Sequence, residues 1–360
     1  MDQLYDFKCP NCGGEINYDS GSGKLKCPYC DSEFEVEALK EYDDILKNET
    51  NSQLNWDPSV GQEWTEEEEN GLRTYICKSC GGEIIGDENM GATSCPFCGN
   101  NIVVMEKFSG QLKPDVVIPF KKNKKDAREA LLNHYKGKLF LPDEFKDGNH
   151  LDEMKGIYVP FWLFDGDAEV DIRYKGTKVR HWSDAQYDYQ ETSYYAVARA
   201  GDISFERVPV DGSSKMTDSL MESIEPYDFS DAVDFETAYL AGYLADKYDV
   251  EAKKCIKKAN DRIKTSSLAA FEGTIHGYSS LTPEHVQIML NKGKIRYALY
   301  PVWILNTTYN NEQYTFAMNG QTGKFVGNLP MDRKKFAICF VSVFVVMTLI
   351  MFLVFYMVWR

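Results

Sequence analysis

The longest apolar stretch in the chain is residues 336–359, 24 positions rich in Val, Phe, Met, Leu and Ile and without a charge. As a helix it is about 36 Å long against a hydrocarbon core of roughly 30 Å, and it has no polar side to present to water. It is expected to span a membrane. Upstream the pattern switches between helical and strand periods. Ala127, Ala130, Leu131 and His134 fall on one face of residues 126–136, which predicts a helix. Residues 156–164 are apolar on both strand faces, a buried strand bent at Pro160. Ala168, Val170, Ile172 and Tyr174 alternate with Glu169, Asp171, Arg173 and Lys175, a half-exposed strand turning at Gly176. Further strands are expected over 193–199 and 203–208, a short helix over 37–47, and helices over 218–224 and from Phe235 to about Ala270, broken near Asp249.

A weak internal repeat runs through this region. Tyr300-Pro301-Val302-Trp303 echoes Pro160-Phe161-Trp162, and each copy leads into another strand, which points to two related half-units. The second copy continues over 314–318 to Asn319-Gly320, a strong hairpin signal, and a last strand over 324–327.

The cysteines carry the clearest chemistry. Eight of the ten form two copies of one spacing, Cys9-x2-Cys12-x14-Cys27-x2-Cys30 and Cys77-x2-Cys80-x14-Cys95-x2-Cys98. A Cys-x2-Cys pair in a tight turn sets two thiolates on one side of the backbone, and two facing pairs make the tetrahedral S4 site that zinc prefers. Both copies continue Gly-Gly-Glu-Ile (from Gly13 and Gly81) and close with Cys-Pro-aromatic-Cys around Tyr29 and Phe97, the pattern of a zinc ribbon. Strands are expected over 15–18 and 34–36. About thirty residues cannot bury a core, so two structural Zn2+ ions are expected to supply the folding energy, on the order of 10–16 kcal/mol each. A disulfide framework needs an oxidising compartment, and Met1-Asp2-Gln3-Leu4-Tyr5 opens no apolar signal segment. Four matched pairs also argue against a redox motif, and four thiolates leave no open position for catalysis on the metal.

The fold class read from these patterns is α+β: two N-terminal zinc ribbons, a mixed α/β body and one C-terminal transmembrane helix. The divisions are ribbon 1 over 1–40, an acidic linker over 41–72, ribbon 2 over 73–106, the body over 107–332 and the anchor over 333–360. Trp56 and Trp64 in the linker read as packing residues. Arg333, Lys334 and Lys335 precede the apolar run and only Arg360 follows it, so the positive-inside rule puts the bulk of the chain in the cytoplasm, on a single-pass anchor in the cell membrane.

The 360 residues carry a net charge of −15, which argues against a phosphate-backbone partner. The five histidines (His134, His150, His181, His276, His285) are scattered, Gly-x-Ser-x-Gly is missing, and Gly23-Lys24 and Gly323-Lys324 lack the residues of a phosphate loop. No catalytic residue and no organic cofactor is assigned, and the chain is not expected to be an enzyme. Asp165 and Asp167 are a pair able to bind a cation, with polar turn residues as the commoner explanation. Lys253, Lys254, Lys257, Lys258, Arg262 and Lys264 make a basic helix face over an inward stripe of Ile256, Ala259 and Ile263. That face suits either anionic lipid or plain solvation.

The two ribbons together with Leu112-Lys113-Pro114-Asp115-Val116-Val117-Ile118-Pro119-Phe120, Gly156-Ile157-Tyr158-Val159-Pro160-Phe161-Trp162, Tyr239-Leu240-Ala241-Gly242-Tyr243 and Asn319-Gly320-Gln321-Thr322-Gly323 resemble a bacterial family, the membrane-anchored "TFIIB-type" double zinc-ribbon, YdjG-like proteins. Members are sometimes labelled PriA-like, after the replication-restart helicase, whose Walker motif this sequence lacks. The resemblance implies recruitment of a cytosolic protein partner to the bilayer, beside flotillin-like (SPFH) and phage-shock-type membrane-stress proteins. A zinc-ribbon adaptor is therefore the expectation. Nucleic-acid binding in replication or transcription is the alternative, set against the acidity of the chain.

Overall fold

Ala168, Val170, Ile172 and Tyr174 are each at most 2% exposed, while positions 169, 171, 173 and 175 keep contact with solvent, as a strand with one covered face requires. The strand that carries them is much longer than the alternation indicates. The computed structural model describes residues 9–10, 16–30, 32–40, 52–57, 59–65, 68–69, 72–87, 94–100, 104–107, 112–143, 145 and 154–359. In chain order the first strands are β1 (Asn17–Asp19), β2 (Lys24–Lys26), β3 (Glu33–Phe34), β4 (Gln53–Trp56), β5 (Leu72–Ile76), β6 (Glu83–Asp87), β7 (Val104–Lys107) and β8 (Val116–Val117). Then come β9 (Lys155–Ser183), β10 (Asp188–Asp211), β11 (Val233–Asp234), β12 (Leu244–Asp246), β13 (Ser280–Tyr309), β14 (Glu312–Asn319) and β15 (Phe325–Gly327). The long helices are α1 (Lys124–Tyr135), α2 (Asp218–Ile224), α3 (Ala252–Glu272) and α4 (Arg333–Trp359). The class is thus mixed α/β with cysteine clusters near the N-terminus and an apolar C-terminal helix.

Several local expectations change. Gly176 is no turn: β9 runs through it, and a Cβ there would sit 2.8 Å from the Tyr278 ring, so glycine serves close approach. The chain reverses instead at Asp184, whose Oδ1 accepts from the Gln186 and Tyr187 N–H groups at 2.8 and 2.7 Å. Pro160 does not end its strand, and the segments expected over 193–199 and 203–208 are one strand, β10. The helix expected from Phe235 starts only at Ala252. Before it, Leu244–Asp246 is drawn into sheet, pairing with Ile157 and Tyr158 on one side and with Ile84 and Ile85 on the other. Tertiary pairing overrides local propensity there. Residues 36–40 are helical, and the rest of the helix expected over 37–47 lies outside the described residues.

The chain forms two units. The first comprises Met1–Pro58, Phe164–Val208 and Ile256–Ile295. It holds the three-stranded sheet β1-β2-β3 and a core in which the buried face of β9 meets Val197 and Phe205 of β10, Ile263 of α3, and Ile288 and Leu290 of β13. Trp56 joins that core, with its ring edge-on to Phe164 at 4.9 Å and its indole N–H donated to Asn260 at 2.9 Å.

The second unit, Ser59–Leu163, Pro209–Cys255 and Arg296–Arg360, carries the sheet order β11-β8-β13-β9-β12-β6-β5-β7. The Pro-x-Trp echo is a structural repeat, and the contacts that mark it lie in this unit. Val116 pairs in parallel with Ala298, three residues before Pro301, and Leu244 pairs in parallel with Ile157, three residues before Pro160. The Pro301 carbonyl accepts from the Gly320 N–H and the Pro160 carbonyl from the Gly212 N–H, both at 2.8 Å. Trp303 donates its indole N–H to the Lys122 carbonyl and Trp162 to that of Val250, again both at 2.8 Å. Asn319 accepts from the Gln321 N–H, and Asp211 from the Ser213 N–H. So β8-α1-β9-β10 and β12-α3-β13-β14 are two copies of one β-α-β-β arrangement, and the first strand of each copy pairs with the long strand of the other. The Asn319-Gly320 hairpin forms as expected, with Met318 opposite Phe325. Asn310 and Asn311, at φ 50 and 65, close the preceding hairpin between Tyr309 and Glu312.

Candidate metal centres

The second cysteine cluster is held by turns at the ends of sheet strands. Cys77 follows β5, its carbonyl accepts from the Gly81 N–H at 2.8 Å, and its N–H donates to Gly82 at 2.9 Å. Gly81 has φ +68, a left-handed conformation that lets the chain fold back from the first knuckle into β6. Cys95 opens the second knuckle, donating to the Asn100 carbonyl at 2.6 Å. The sulfurs of Cys77, Cys80, Cys95 and Cys98 all lie within 4.8 Å of one another. Cys77–Cys98 and Cys80–Cys95 are each 3.6 Å apart, far beyond a disulfide of about 2.05 Å. A tetrahedron with metal–sulfur bonds of about 2.3 Å has edges of about 3.8 Å, so the thiols are spaced for one tetrahedral ion.

Burial acts unequally on these thiols. It pushes Cys77 up, but the Cys80 and Ser79 N–H groups and the neighbouring thiols together bring it down to about 7. Cys95 is raised by its burial. Asn100 bridges the knuckles, donating to Ser79 at 2.8 Å and to the Cys98 sulfur at 3.6 Å. Lys215 donates to the Cys80 carbonyl at 3.0 Å, Asn306 to the Pro96 carbonyl and Lys155 to that of Ser94. These supports escape sequence reasoning because Lys155, Lys215 and Asn306 are brought in from distant strands and loops.

The first cluster gathers Cys9, Cys27 and Cys30 within 4.8 Å, with Cys9 and Cys30 3.6 Å apart. Cys12, its expected fourth ligand, lies outside the described residues, as do Gly13 and Gly14. Both clusters are thus able to hold a metal ion. The two environments differ. Cys77 and Cys95 belong to the main core of their unit, along with Tyr75, Ile84, Ile157 and Phe161, and Phe97 packs against it. Tyr29, the counterpart of Phe97 in the first ribbon, is 72% exposed, and Tyr18 is 62% exposed.

Comparison with known proteins places this arrangement. The chain is 32% identical to the uncharacterized protein YdjG of Bacillus subtilis (strain 168) over 337 residues, 94% of this chain and 93% of that one. This chain belongs to the YdjG family. No family profile matches the sequence, and no solved structure matches it.

The other candidates resolve as structural. Asp165 accepts from the Arg207 N–H and Asp167 from the Ser204 hydroxyl, both at 2.6 Å, so the pair ties β9 to β10 in mid-strand. His134 lies at 3.1 Å from the Gly327 carbonyl, beside Phe325. On α3, Ala259 and Ile263 of the expected stripe are buried, whereas Ile256 is only half-buried and its neighbour Cys255 is buried instead. Cys255 is buried, with its thiol directed to the Asp211 carbonyl, and Cys339 lies on α4. Residues 333–359 form a helix long and apolar enough to cross a membrane, with none of it buried.

Proposed function

We propose that the chain is a tail-anchored adaptor facing the cytoplasm, with zinc in both cysteine clusters, α4 in the cell membrane, and the first ribbon as the recruiting surface. The observation that carries the reading is the contrast between Tyr29 and Phe97. The same position is packed against the core in the second ribbon and turned to solvent in the first, where Tyr18 is also open. Exposed tyrosines are favoured protein-contact residues, giving large area at low conformational cost. Among the described residues, the two cations on the adjoining strand are already matched: Lys24 meets Glu35 at 3.0 Å and Lys26 meets Glu33 at 3.5 Å. A surface neutralised in this way favours a protein over a nucleic acid, whose binding requires free cations. No catalytic role is assigned. The partner class proposed is a flotillin-like (SPFH) or phage-shock-type membrane-stress protein.

The test is relocation in cells. A fluorescent SPFH-family or phage-shock-type protein should move to membranes only when this chain is present. Tyr18→Ala with Tyr29→Ala should abolish that movement while metal content and membrane insertion stay intact. Tight binding of the purified chain to DNA or RNA, with a steep salt dependence lost on Cys9→Ser, would replace this reading with the nucleic-acid one.

A further inference from the structure

The base of the anchor helix borders a cavity of about 800 Å3, lined by Tyr309, Glu312, Asp143, Met331, Arg333 and Lys334 among others. Its position is fixed by several contacts. Asp332 donates its N–H to the Phe140 carbonyl at 2.7 Å, Lys335 reaches the Leu141 carbonyl at 3.0 Å and Asp143 at 2.6 Å, and Phe140 meets Phe336 edge-on at 5.4 Å. The apolar run starts at Phe336, directly after Arg333, Lys334 and Lys335, so a helix in a bilayer sets this cavity at the level of the lipid headgroups.

The charges in the cavity are mixed and partly spoken for. Asp332 caps the helix, accepting from the N–H groups of Lys334 and Lys335, so helix N–H groups are not offered to a ligand. Asp143 is engaged by Lys335. Arg333 and Lys334 both lie on the exposed side of the first turn. Glu312, which also lines the cavity, takes one hydrogen bond, from the Tyr314 hydroxyl at 2.8 Å through Oε2, which leaves Oε1 for a donor. Two cations and a carboxylate lining one cavity fit a ligand that carries an anion and a hydrogen-bonding cation a few bonds apart.

We propose that this cavity binds the headgroup of a phosphatidylethanolamine-type lipid. The phosphodiester lies against Arg333 and Lys334, the primary ammonium donates to Glu312, and the acyl chains leave past Met331, which is 56% exposed, along α4. A purely anionic headgroup fits less well because it brings no cation to Glu312, and a choline headgroup has no N–H to donate. The inference rests on the membrane reading of α4.

The full-length chain, reconstituted in nanodiscs holding equal amounts of phosphatidylethanolamine, phosphatidylglycerol and phosphatidylcholine, is released into native mass spectrometry. Retained ethanolamine lipid should exceed each of the others by about threefold to fivefold, the ratio a single exposed ion pair supports. Glu312→Gln should erase that preference with the anchor untouched. Equal retention of the three lipids, or preference for phosphatidylglycerol, overturns the proposal. Resistance of the chain to alkaline extraction from membranes is scored separately. Loss of the chain at that step overturns the anchor reading and the proposal together, whereas resistance without lipid preference overturns the proposal alone.

Discussion

Ile118 and Asp246 occupy equivalent places in the two copies of the repeat, each two residues past a paired position (Val116 and Leu244), and both are buried, at 0% and 1% exposure. One copy fills the site with a hydrocarbon and the other with a carboxyl group. Neither oxygen of Asp246 receives a well-formed hydrogen bond. Burial holds its carboxyl well above the usual carboxylate range; Asp249 and Asp211 add to that, while Ser213 and the Lys247 N–H oppose it by less.

The consequence is a pH dependence with a definite sign. The folded chain keeps a proton on Asp246 that the unfolded chain releases above about pH 4, so this group favours folding at low pH and progressively less as pH rises toward its folded value. Asp246→Asn, which carries no ionisable proton, should raise the free energy of unfolding at pH 7 by about 1–3 kcal/mol, since each tenfold difference in proton affinity between the folded and unfolded chain is worth about 1.4 kcal/mol. The gap between variant and parent, followed by denaturant unfolding of the purified chain from pH 4 to pH 8, should widen with pH. A constant gap would show that Asp246 does not titrate differently on folding.

The two cysteine clusters should fail in different ways. Cys77 and Cys95 sit in the core of the second unit, and β5 and β6 continue its sheet through β12. A structural zinc contributes about 10–16 kcal/mol, comparable with the whole stability of a domain. Cys95→Ser should therefore expose the amides of β12 and the start of β9 to hydrogen exchange. Cys9→Ser should leave those amides protected and lose only the β1-β2-β3 sheet. Peptide-resolved exchange measures both, and equal protection of β12 in the two variants would contradict the assignment.

Metal content follows from the same geometry. The purified chain should carry two zinc ions, insensitive to Cys255→Ala and Cys339→Ala and halved by Cys77→Ser. Elemental analysis checks this, and an iron–sulfur absorption spectrum would exclude it.

What the sequence made legible was local in origin. The cysteine spacing, the Asn319-Gly320 turn and the uncharged run from Phe336 need only a few neighbouring residues, and the structure realises each as a cluster, a hairpin and a helix. The Pro-x-Trp echo was visible as well, but its meaning lay in the partners of Trp162 and Trp303, Val250 and Lys122, which no spacing reveals. The failures have one physical cause. Leu244–Asp246 and Gly176 take their conformations from distant strands and from Tyr278, so local periodicity misplaced a helix start and a turn. The merging of the second ribbon with the large sheet is equally non-local, and so are Lys155, Lys215 and Asn306 around it.

The repeat itself is open to test. Trp162→Phe and Trp303→Phe each remove one indole donor from a backbone carbonyl and part of a ring from a site at most 6% exposed. Each should cost about 1–3 kcal/mol in chemical denaturation, with similar values for the two. A cost confined to one tryptophan would mean that the halves are alike in backbone but not in energetics.

The orientation of the anchor rests on the three cations of the first turn of α4, ahead of the apolar run from Phe336, and on Arg360 after the helix. Because basic flanks stay on the cytoplasmic side, an impermeant thiol reagent applied to intact cells should not modify a cysteine introduced at Ala185, in the turn of the β9-β10 hairpin, but should modify it once the cells are opened. Deleting residues 336–360 should move the chain to the soluble fraction. If the truncated chain stays on membranes, the basic face of α3 is the natural cause, since Lys253, Lys254 and Lys257 are solvent-facing or partly so. That residual binding should then fall between 0.1 and 1 M salt, as the screening length shortens from about 10 Å to about 3 Å. Labelling of position 185 in intact cells would reverse the orientation, and salt-resistant retention of the truncated chain would show that α4 is not what holds it to the membrane.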